Sequence, residues 1–151
     1  MPENNDRRVN YALVKIITEN VDIEPTGFEE NKPVKINVGL NFGLDSKQHL
    51  LKVMFMNAFA HEEVPFIKIE ASCIFAIDPE SWEFFQNRDS GTFTLPQVFA
   101  GHLASLTAST TRGILHERTD NTPMNRFFIP ANNIEEMIKE NVVLPLEPPQ
   151  N

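Results

Sequence analysis

Several short patterns in this chain contain residue types that catalyse reactions in other proteins. Asp89-Ser90-Gly91 matches the Asp-Ser/Thr-Gly triplet of aspartic proteases. That chemistry needs a second such loop, or an identical partner, because two carboxylates must share one site. The same triplet is also an ordinary turn sequence, and we expect a turn here.

The histidines do not complete a metal-binding or nucleophile motif. His116-Glu117 begins the pattern of zinc proteases, but Asp120 occupies the position of the second histidine. His102 and Ser105 share one helical turn without the strand–turn–helix sequence that surrounds a serine nucleophile. His61-Glu62-Glu63 has no further metal-binding residues near it in the sequence. We therefore expect no enzymatic activity, no cofactor and no bound metal.

The composition restricts the classes of partner. The 151 residues include 21 acidic and 13 basic side chains, for a net charge of −8. An acidic balance argues against nucleic acid or an anionic membrane as the partner. Cys73 is the only cysteine, which excludes an intrachain disulfide and fits a reducing compartment. No apolar run reaches the roughly 18 residues of a membrane span, and residues 1–10 lack the apolar core of a signal peptide. We expect a cytoplasmic protein without membrane insertion.

The most unusual element is the segment Leu95–Thr111, which has no Asp, Glu, Lys or Arg. Its beginning predicts a helix, with Thr94 as the N-cap and Pro96 in the first turn. Arg112 and Gly113 follow it and predict the helix C-terminus, with Gly113 just past the end.

The two faces of this helix have different compositions. Phe99, Leu103 and Leu106 repeat at helical spacing and predict the face toward the core. The opposite face has small residues where a charged, water-facing surface is usual, which favours an interface between copies of this chain. That face consists of Gly101, Ala104, Ser105, Ala108 and Ser109, of which the first four are the predicted interface residues. The small residues are also consistent with a helix that lies close to its own sheet.

The rest of the chain predicts four strands followed by helices. Apolar residues alternate from Val34 to Phe42, and the other strands are predicted over Tyr11–Val21, Leu50–Phe59 and Phe66–Ile77. Short turns after the second and third strands favour antiparallel pairing. Residues 78–93 predict an irregular aromatic connection to the long helix. Asn132 and Glu135 then form a capping-box pattern that opens a short helix.

This order predicts an α+β, two-layer fold, in which a four-stranded antiparallel sheet precedes a long and a short helix. We expect one domain over residues 9–144. Residues 1–8 are polar and residues 145–151 are rich in proline, and both predict flexible tails.

Several segments together resemble the SecB family of protein-export chaperones. Leu95-Pro-Gln-Val-Phe-Ala, continued by Leu106 and by Thr111-Arg-Gly-Ile, resembles the family's first helix. The segment 129–137 is similar to the entry into its second helix. Cys73-Ile74-Phe75 is similar to the end of its fourth strand, and the segment 15–24 to its first strand. The resemblance covers roughly residues 10–140 in order and spacing.

The resemblance implies a homotetramer, a dimer of dimers with the long helices at the interface between dimers. Family members hold unfolded preproteins in apolar grooves and deliver them to the SecA motor. Flexible methionines and large aromatic rings suit variable clients. The implied client-binding residues are Met54, Met56, Trp82, Phe84, Phe85 and Phe93. Each of them is also consistent with a role in the core.

The family's motor-docking surface uses acidic residues and one leucine. Glu24 matches one of the acids, and Phe66 stands where the leucine is usual. Asn20 and Lys68 depart from the family's acidic pattern. Two alternatives remain: a chaperone of the same fold dedicated to one partner such as an antitoxin, and a small-ligand or hydrolase domain with helices on a sheet. The second alternative would need an enclosed pocket with convergent polar groups.

Overall fold

The computed structural model describes residues 8–130 and 133–146, and it has the predicted α+β architecture. The main sheet contains β1 (Tyr11–Ile23), β2 (Lys35–Asp45), β3 (Leu50–His61) and β4 (Val64–Ile77). It is followed by α1 (Pro79–Phe85), β5 (Gln86–Asn87), β6 (Thr92–Leu95), α2 (Gln97–Arg118) and β7 (Val142–Pro145). Short 3₁₀ turns occupy Pro25–Gly27, Pro123–Arg126 and Ile134–Met137.

The main sheet has the strand order β1-β4-β3-β2, and all neighbouring pairs are antiparallel. Tight turns join β2 to β3 and β3 to β4, as their short connections predicted. The crossover loop (residues 24–34) carries the chain from β1 at one edge of the sheet to β2 at the other. β1 and β2 are therefore both edge strands of this sheet.

The core lies between β3, β4 and α2. Leu51, Val53 and Phe55 of β3 point toward the helix and are fully buried, as the alternation of β3 predicted. Leu103 and Ala108 of α2 are buried on the facing side. Each large apolar side chain buried in this way stabilises the fold by about 1.5–3 kcal/mol.

The boundaries of α2 differ from the prediction at both ends. Pro96 is the N-cap, and Thr94 belongs to β6. The helix continues through Arg112 and Gly113 to Arg118, because Leu115 beyond them packs in the core. Gly113 is thus an interior helical residue, which corrects its prediction as the residue after the helix end.

The predicted irregular connection contains regular structure. Asp78 caps α1, since its carboxylate accepts a hydrogen bond from the Ser81 backbone N–H at 3.3 Å, and Pro79 occupies the first turn. This Asp-Pro pair is a helix-start signal that the sequence carried. β5, β6 and β7 then form a second, three-stranded antiparallel sheet, which the sequence analysis missed.

The ends of the domain differ slightly from the predicted bounds. Pro145 lies in β7, and the Leu146 backbone N–H donates to the Gly91 carbonyl at 2.9 Å, so the fold continues two residues beyond 144. The predicted tails at 1–7 and 147–151 lie outside the described residues, as does Asn132 of the predicted capping box. The predicted short helix is the 3₁₀ turn Ile134–Met137.

In the part of the chain that the structure describes, no helix is long and apolar enough to cross a membrane.

Candidate functional site

Two of the predicted client-binding residues belong to the core. Trp82 is 1% exposed and Phe93 is fully buried, and their ring centroids are 4.5 Å apart. His49 also stacks on Trp82, with ring centroids 5.0 Å apart. Because neither aromatic ring has surface to offer a client, their assignment to the client-binding site is corrected to a core role.

Phe84 and Phe85 instead line an open groove of about 990 Å³. The groove lies where α1, the first turns of α2, the start of β1 and the Ile134–Met137 turn meet. Phe84 is 45% exposed and Val98 is 84% exposed, whereas Phe85 is buried and contributes to the floor. The remaining apolar lining consists of Val9, Tyr11, Pro96 and Phe99.

Four polar residues of the groove, Tyr11, His102, Gln97 and Asn141, are hydrogen-bonded within the chain. The Tyr11 hydroxyl and His102 Nε2 share a hydrogen bond of 2.7 Å. The Gln97 backbone N–H donates to Asn141 Oδ1 at 2.9 Å, and its side-chain amide donates to the Ile138 carbonyl at 2.8 Å. Glu135 is the one Asp, Glu, Lys or Arg side chain among the described residues that line the groove. This arrangement favours binding by apolar contact.

A second, partly exposed apolar surface runs along β2, and we call it the β2 strip. One of its residues, Ile36, is 44% exposed, and the others are half-buried against the core. Its residues are opposite the inward-facing residues of β3, so they point to the helix side of the sheet. However, α2 packs on β3 and β4 and leaves this edge partly uncovered. The β2 strip consists of Ile36, Val38, Leu40, Phe42 and Leu44.

Sequence analysis identified β2 as a half-buried strand but did not assign it a functional surface. The period of two shows that one face is apolar, but not whether a helix covers that face. Edge position is decided by the strand order, which depends on contacts between distant parts of the chain. The backbone N–H and C=O groups along the free edge of β2 could pair with an added strand.

The outer face of the sheet carries Met54 and Met56, both half-buried as the prediction of an outer position requires. Beside them, the Glu19 carboxylate accepts a hydrogen bond from the Ser72 hydroxyl at 2.9 Å and contacts Lys52 Nζ at 3.1 Å. The Ser72 hydrogen bond, and then Lys52, hold the pKa of Glu19 below its ordinary value. Whether the methionines contact a client stays a prediction.

The small-residue face of α2 packs inside the protomer. Ala104 and Ala108 are fully buried, and Gly101 lies against the turn that contains Glu135. A Cβ atom at Gly101 would lie 3.3 Å from the Glu135 Cβ. Side chains already covered within one chain have no surface for a second copy, which corrects the predicted interface at these three residues. Ser105 is half-buried.

The uncharged outward face of α2 is the one formed by Val98, His102, Leu106 and Ser109. Leu106 was predicted to face the core, but it is 39% exposed. Its neighbour Leu103 is buried as predicted. The two faces of the helix are therefore rotated relative to the sequence prediction.

The two predicted motor-docking residues occupy different environments. Phe66 is 1% exposed within an aromatic cluster, so it is a core residue and not a docking contact. Glu24 is exposed, and its backbone N–H donates to the Phe66 carbonyl at 2.8 Å.

The sequence motifs that resemble catalytic or metal-binding patterns do not form such a site among the described residues. Asp89-Ser90-Gly91 forms a turn, in which the Ser90 backbone N–H donates to Asn87 Oδ1 and Gly91 has φ 68°. Cys73 is buried in β4. Within residues 8–130 and 133–146, no group of three or more His, Cys, Asp and Glu side chains is placed to hold a metal ion.

No protein-family model matches this chain, and no curated protein matches its sequence. The SecB-like interpretation thus depends on the sequence resemblance described above. The structural observations relevant to function are the groove at the start of α2 and the β2 strip.

Proposed function

We propose that this protein is a SecB-like holdase that binds unfolded polypeptides. The observation that carries the proposal is the open groove, in which Phe84 and Val98 present apolar surface on a chain with net charge −8. An exposed apolar patch on a strongly charged protein typically marks an interaction site. The acidic charge keeps such a protein soluble and gives it an attraction for basic segments of a client.

The β2 strip supports the same function by a different physical mechanism. An extended client segment can add a strand to the free edge of β2, so that backbone hydrogen bonds provide affinity without a sequence requirement. The strip residues would then bury alternate apolar side chains of that client. Because a holdase binds the unfolded state and not the native one, it shifts the folding equilibrium by mass action.

An assembly of several copies strengthens this proposal, since many weak patches bind a long chain by multivalency. We propose a homotetramer, a dimer of dimers. The outward face of α2, around Leu106, supports one interface because it lacks charge over several turns. The free edge of β1 supports the other, because Leu13, Val14 and Ile16 are 47%, 53% and 49% exposed.

The proposed setting is the cytoplasm, with unfolded preproteins as clients and SecA as the delivery partner. Exposed Glu24 is the acidic residue that fits a motor contact, and the burial of Phe66 removes the predicted apolar one. That loss favours the alternative of a chaperone dedicated to one partner such as an antitoxin. A client panel separates them: a SecB-like holdase protects several unrelated denatured proteins, whereas a dedicated chaperone protects one.

The decisive experiment measures aggregation of a chemically denatured client at near-stoichiometric amounts of this protein. Phe84→Ser removes an exposed ring from the groove, and we expect about five- to thirtyfold weaker protection, since one buried aromatic anchor contributes about 1–2 kcal/mol to binding. Val64→Ser is the matched control, because Val64 is 67% exposed at the β3–β4 turn, away from the groove. If wild-type protein leaves every client unprotected, or both variants lose protection equally, the proposal fails.

A further inference from the structure

His61, the last residue of β3, holds the crossover loop by two hydrogen bonds. The Glu29 backbone N–H donates to His61 Nε2 at 2.9 Å, and His61 Nδ1 lies 2.9 Å from the Pro33 carbonyl oxygen. A backbone N–H can only donate, so Nε2 is the acceptor, and Nδ1 must carry the ring proton that it donates to Pro33. The observed geometry thus requires a neutral imidazole in one tautomer.

The crossover loop covers an aromatic cluster at this end of the core. The Phe28 ring stacks on the His61 ring, with centroids 5.5 Å apart and an interplanar angle of 22°. Phe28 also contacts Phe66 and Phe127, each with a centroid distance of 5.2 Å. His61 is 7% exposed, so a charge on its ring would lie among apolar rings.

A second contact holds the same loop from the segment after α2. The Arg126 guanidinium makes two hydrogen bonds of 3.1 Å to the Glu30 carboxylate and lies 4.5 Å from the Phe28 ring centroid. These hydrogen bonds hold the pKa of Glu30 below its ordinary value. This exposed ion pair stays formed at mildly acidic pH, whereas the His61 contact requires a neutral imidazole that accepts a hydrogen bond at Nε2.

We propose that the crossover loop is a proton-sensitive cover, which His61 closes when neutral and releases when protonated. Protonation places a second N–H on Nε2, opposite the Glu29 N–H, so the acceptor is lost and two donors face each other. Release of residues 28–33 uncovers Phe28, Phe66 and Phe127. Because the loop leads directly into β2, the uncovered rings adjoin the β2 strip and enlarge it; this last consequence rests on the proposed function, whereas the release does not.

The charges around His61 offer little compensation for a proton on the ring. In the crossover loop, Glu29 pairs with Lys32 at 3.1 Å and Glu30 with Arg126 at 3.1 Å. At the β3–β4 turn, Glu63 lies 3.9 Å from Lys35 of β2, and Glu62 is exposed. The Phe66 ring of β4 lies 5.0 Å from the His61 ring, centroid to centroid, and Phe127 packs behind it on Phe66. Three of these four carboxylates are thus already engaged by cations.

Amide hydrogen exchange on the full chain tests the cover. After correction for the pH dependence of intrinsic exchange, we expect protection of the Glu29 amide to fall by up to about tenfold between pH 7.5 and pH 5.5. In His61→Gln, the amide side chain can accept from Glu29 and donate to Pro33 without titrating, so protection should not depend on pH. His116→Gln is the matched control, since His116 is exposed and stacks on Phe128; it should behave as the wild type.

The proposal is overturned if wild-type Glu29 protection is equal at both pH values, or if it falls equally in His61→Gln. If His61→Gln does not fold, the ¹⁵N chemical shifts of the His61 ring in the wild-type protein provide a second test, because they report protonation of Nε2. Proton uptake at Nε2 that coincides with the loss of Glu29 protection supports the cover, and proton uptake without that loss rejects it. Client protection measured at pH 7.5, where the cover is closed, tests the proposed function separately.

Discussion

Trp82 and Phe84 are two positions apart in α1, but only Phe84 presents its ring to solvent. A short helix turns by about 200° over two residues, so the two side chains point to opposite sides. Trp82 consequently packs with His49 and Phe93, while Phe84 lines the groove. At the scale of single residues, function here depends on the direction of each side chain more than on its type.

Asn57 shows that the direction of a polar side chain matters as well. It lies on the helix-facing side of β3, fully buried, and neither its amide nitrogen nor its amide oxygen has a hydrogen-bond partner in the described structure. A buried polar group without a partner costs about 1–3 kcal/mol. We expect Asn57→Leu to raise the free energy of unfolding by about 1 kcal/mol, because it replaces an unsatisfied amide with apolar surface.

Urea unfolding measures this change. Asn57→Ala is the matched control, since it also removes the amide but leaves a cavity, and it should be less stable than Asn57→Leu. An Asn57→Leu variant that is clearly less stable than the wild type would show that the amide is satisfied in solution.

At the scale of elements, α2 is a polar helix that still packs as a core helix. Thr107 and Thr111 are buried, and their hydroxyls donate to the carbonyls of Leu103 and Thr107 at 2.8 Å. These bonds satisfy the hydroxyls, so the helix can lie against the sheet without charged residues on that face. The small residues Ala104 and Ala108 then allow a close approach to β3 and β4.

Gly113 distinguishes the observed helix from the predicted one. Gly113 is interior to α2, and a Cβ atom there would have no atom within 4 Å. We expect Gly113→Ala to raise the free energy of unfolding by about 0.5–1 kcal/mol, because alanine has the higher helix propensity. Had Gly113 been the left-handed residue after the helix end, the same change would destabilise the protein.

Thermal or urea unfolding of Gly113→Ala decides between these outcomes. Gly101→Ala is the matched control in the same helix. Its new Cβ would crowd Glu135, so it should gain less stability than Gly113→Ala, or lose some. A loss of stability in Gly113→Ala alone would place the end of α2 before residue 113.

At the scale of the whole molecule, open apolar surfaces surround a well-packed centre. β3, β4 and α2 bury one another, whereas β1 and β2 keep apolar residues partly exposed at the two edges of the sheet. The unpaired backbone groups of such edges can bind an added strand, either from another copy or from an extended client. We propose that the β1 edge serves assembly and that the β2 edge binds clients.

The proposed tetramer is tested by native mass spectrometry. We expect the wild type at four times the chain mass. We expect Leu106→Glu to shift it to dimers, because a charge on the outward face of α2 would be desolvated at the interface. Val64→Glu places the same charge on the β3–β4 turn and should remain tetrameric. A wild-type monomer would contradict both the tetramer and the multivalent binding that depends on it.

The sequence by itself determined the four strands, their antiparallel pairing and the long helix. These follow from local patterns: a period of two in the strands, short turns between them, and helical spacing after Pro96. The α+β class was therefore predictable, and so was the outer position of Met54 and Met56.

Only the tertiary structure decided which apolar residues are surface and which are core. Trp82, Phe66 and Ala104 had types that suit an interface, but each is buried by elements distant in sequence. Conversely, the β2 strip stays partly exposed because β2 lies at the sheet edge, beside the strands on which α2 packs. Burial depends on strand order and on where a helix rests, and both result from long-range contacts that residue spacing does not encode.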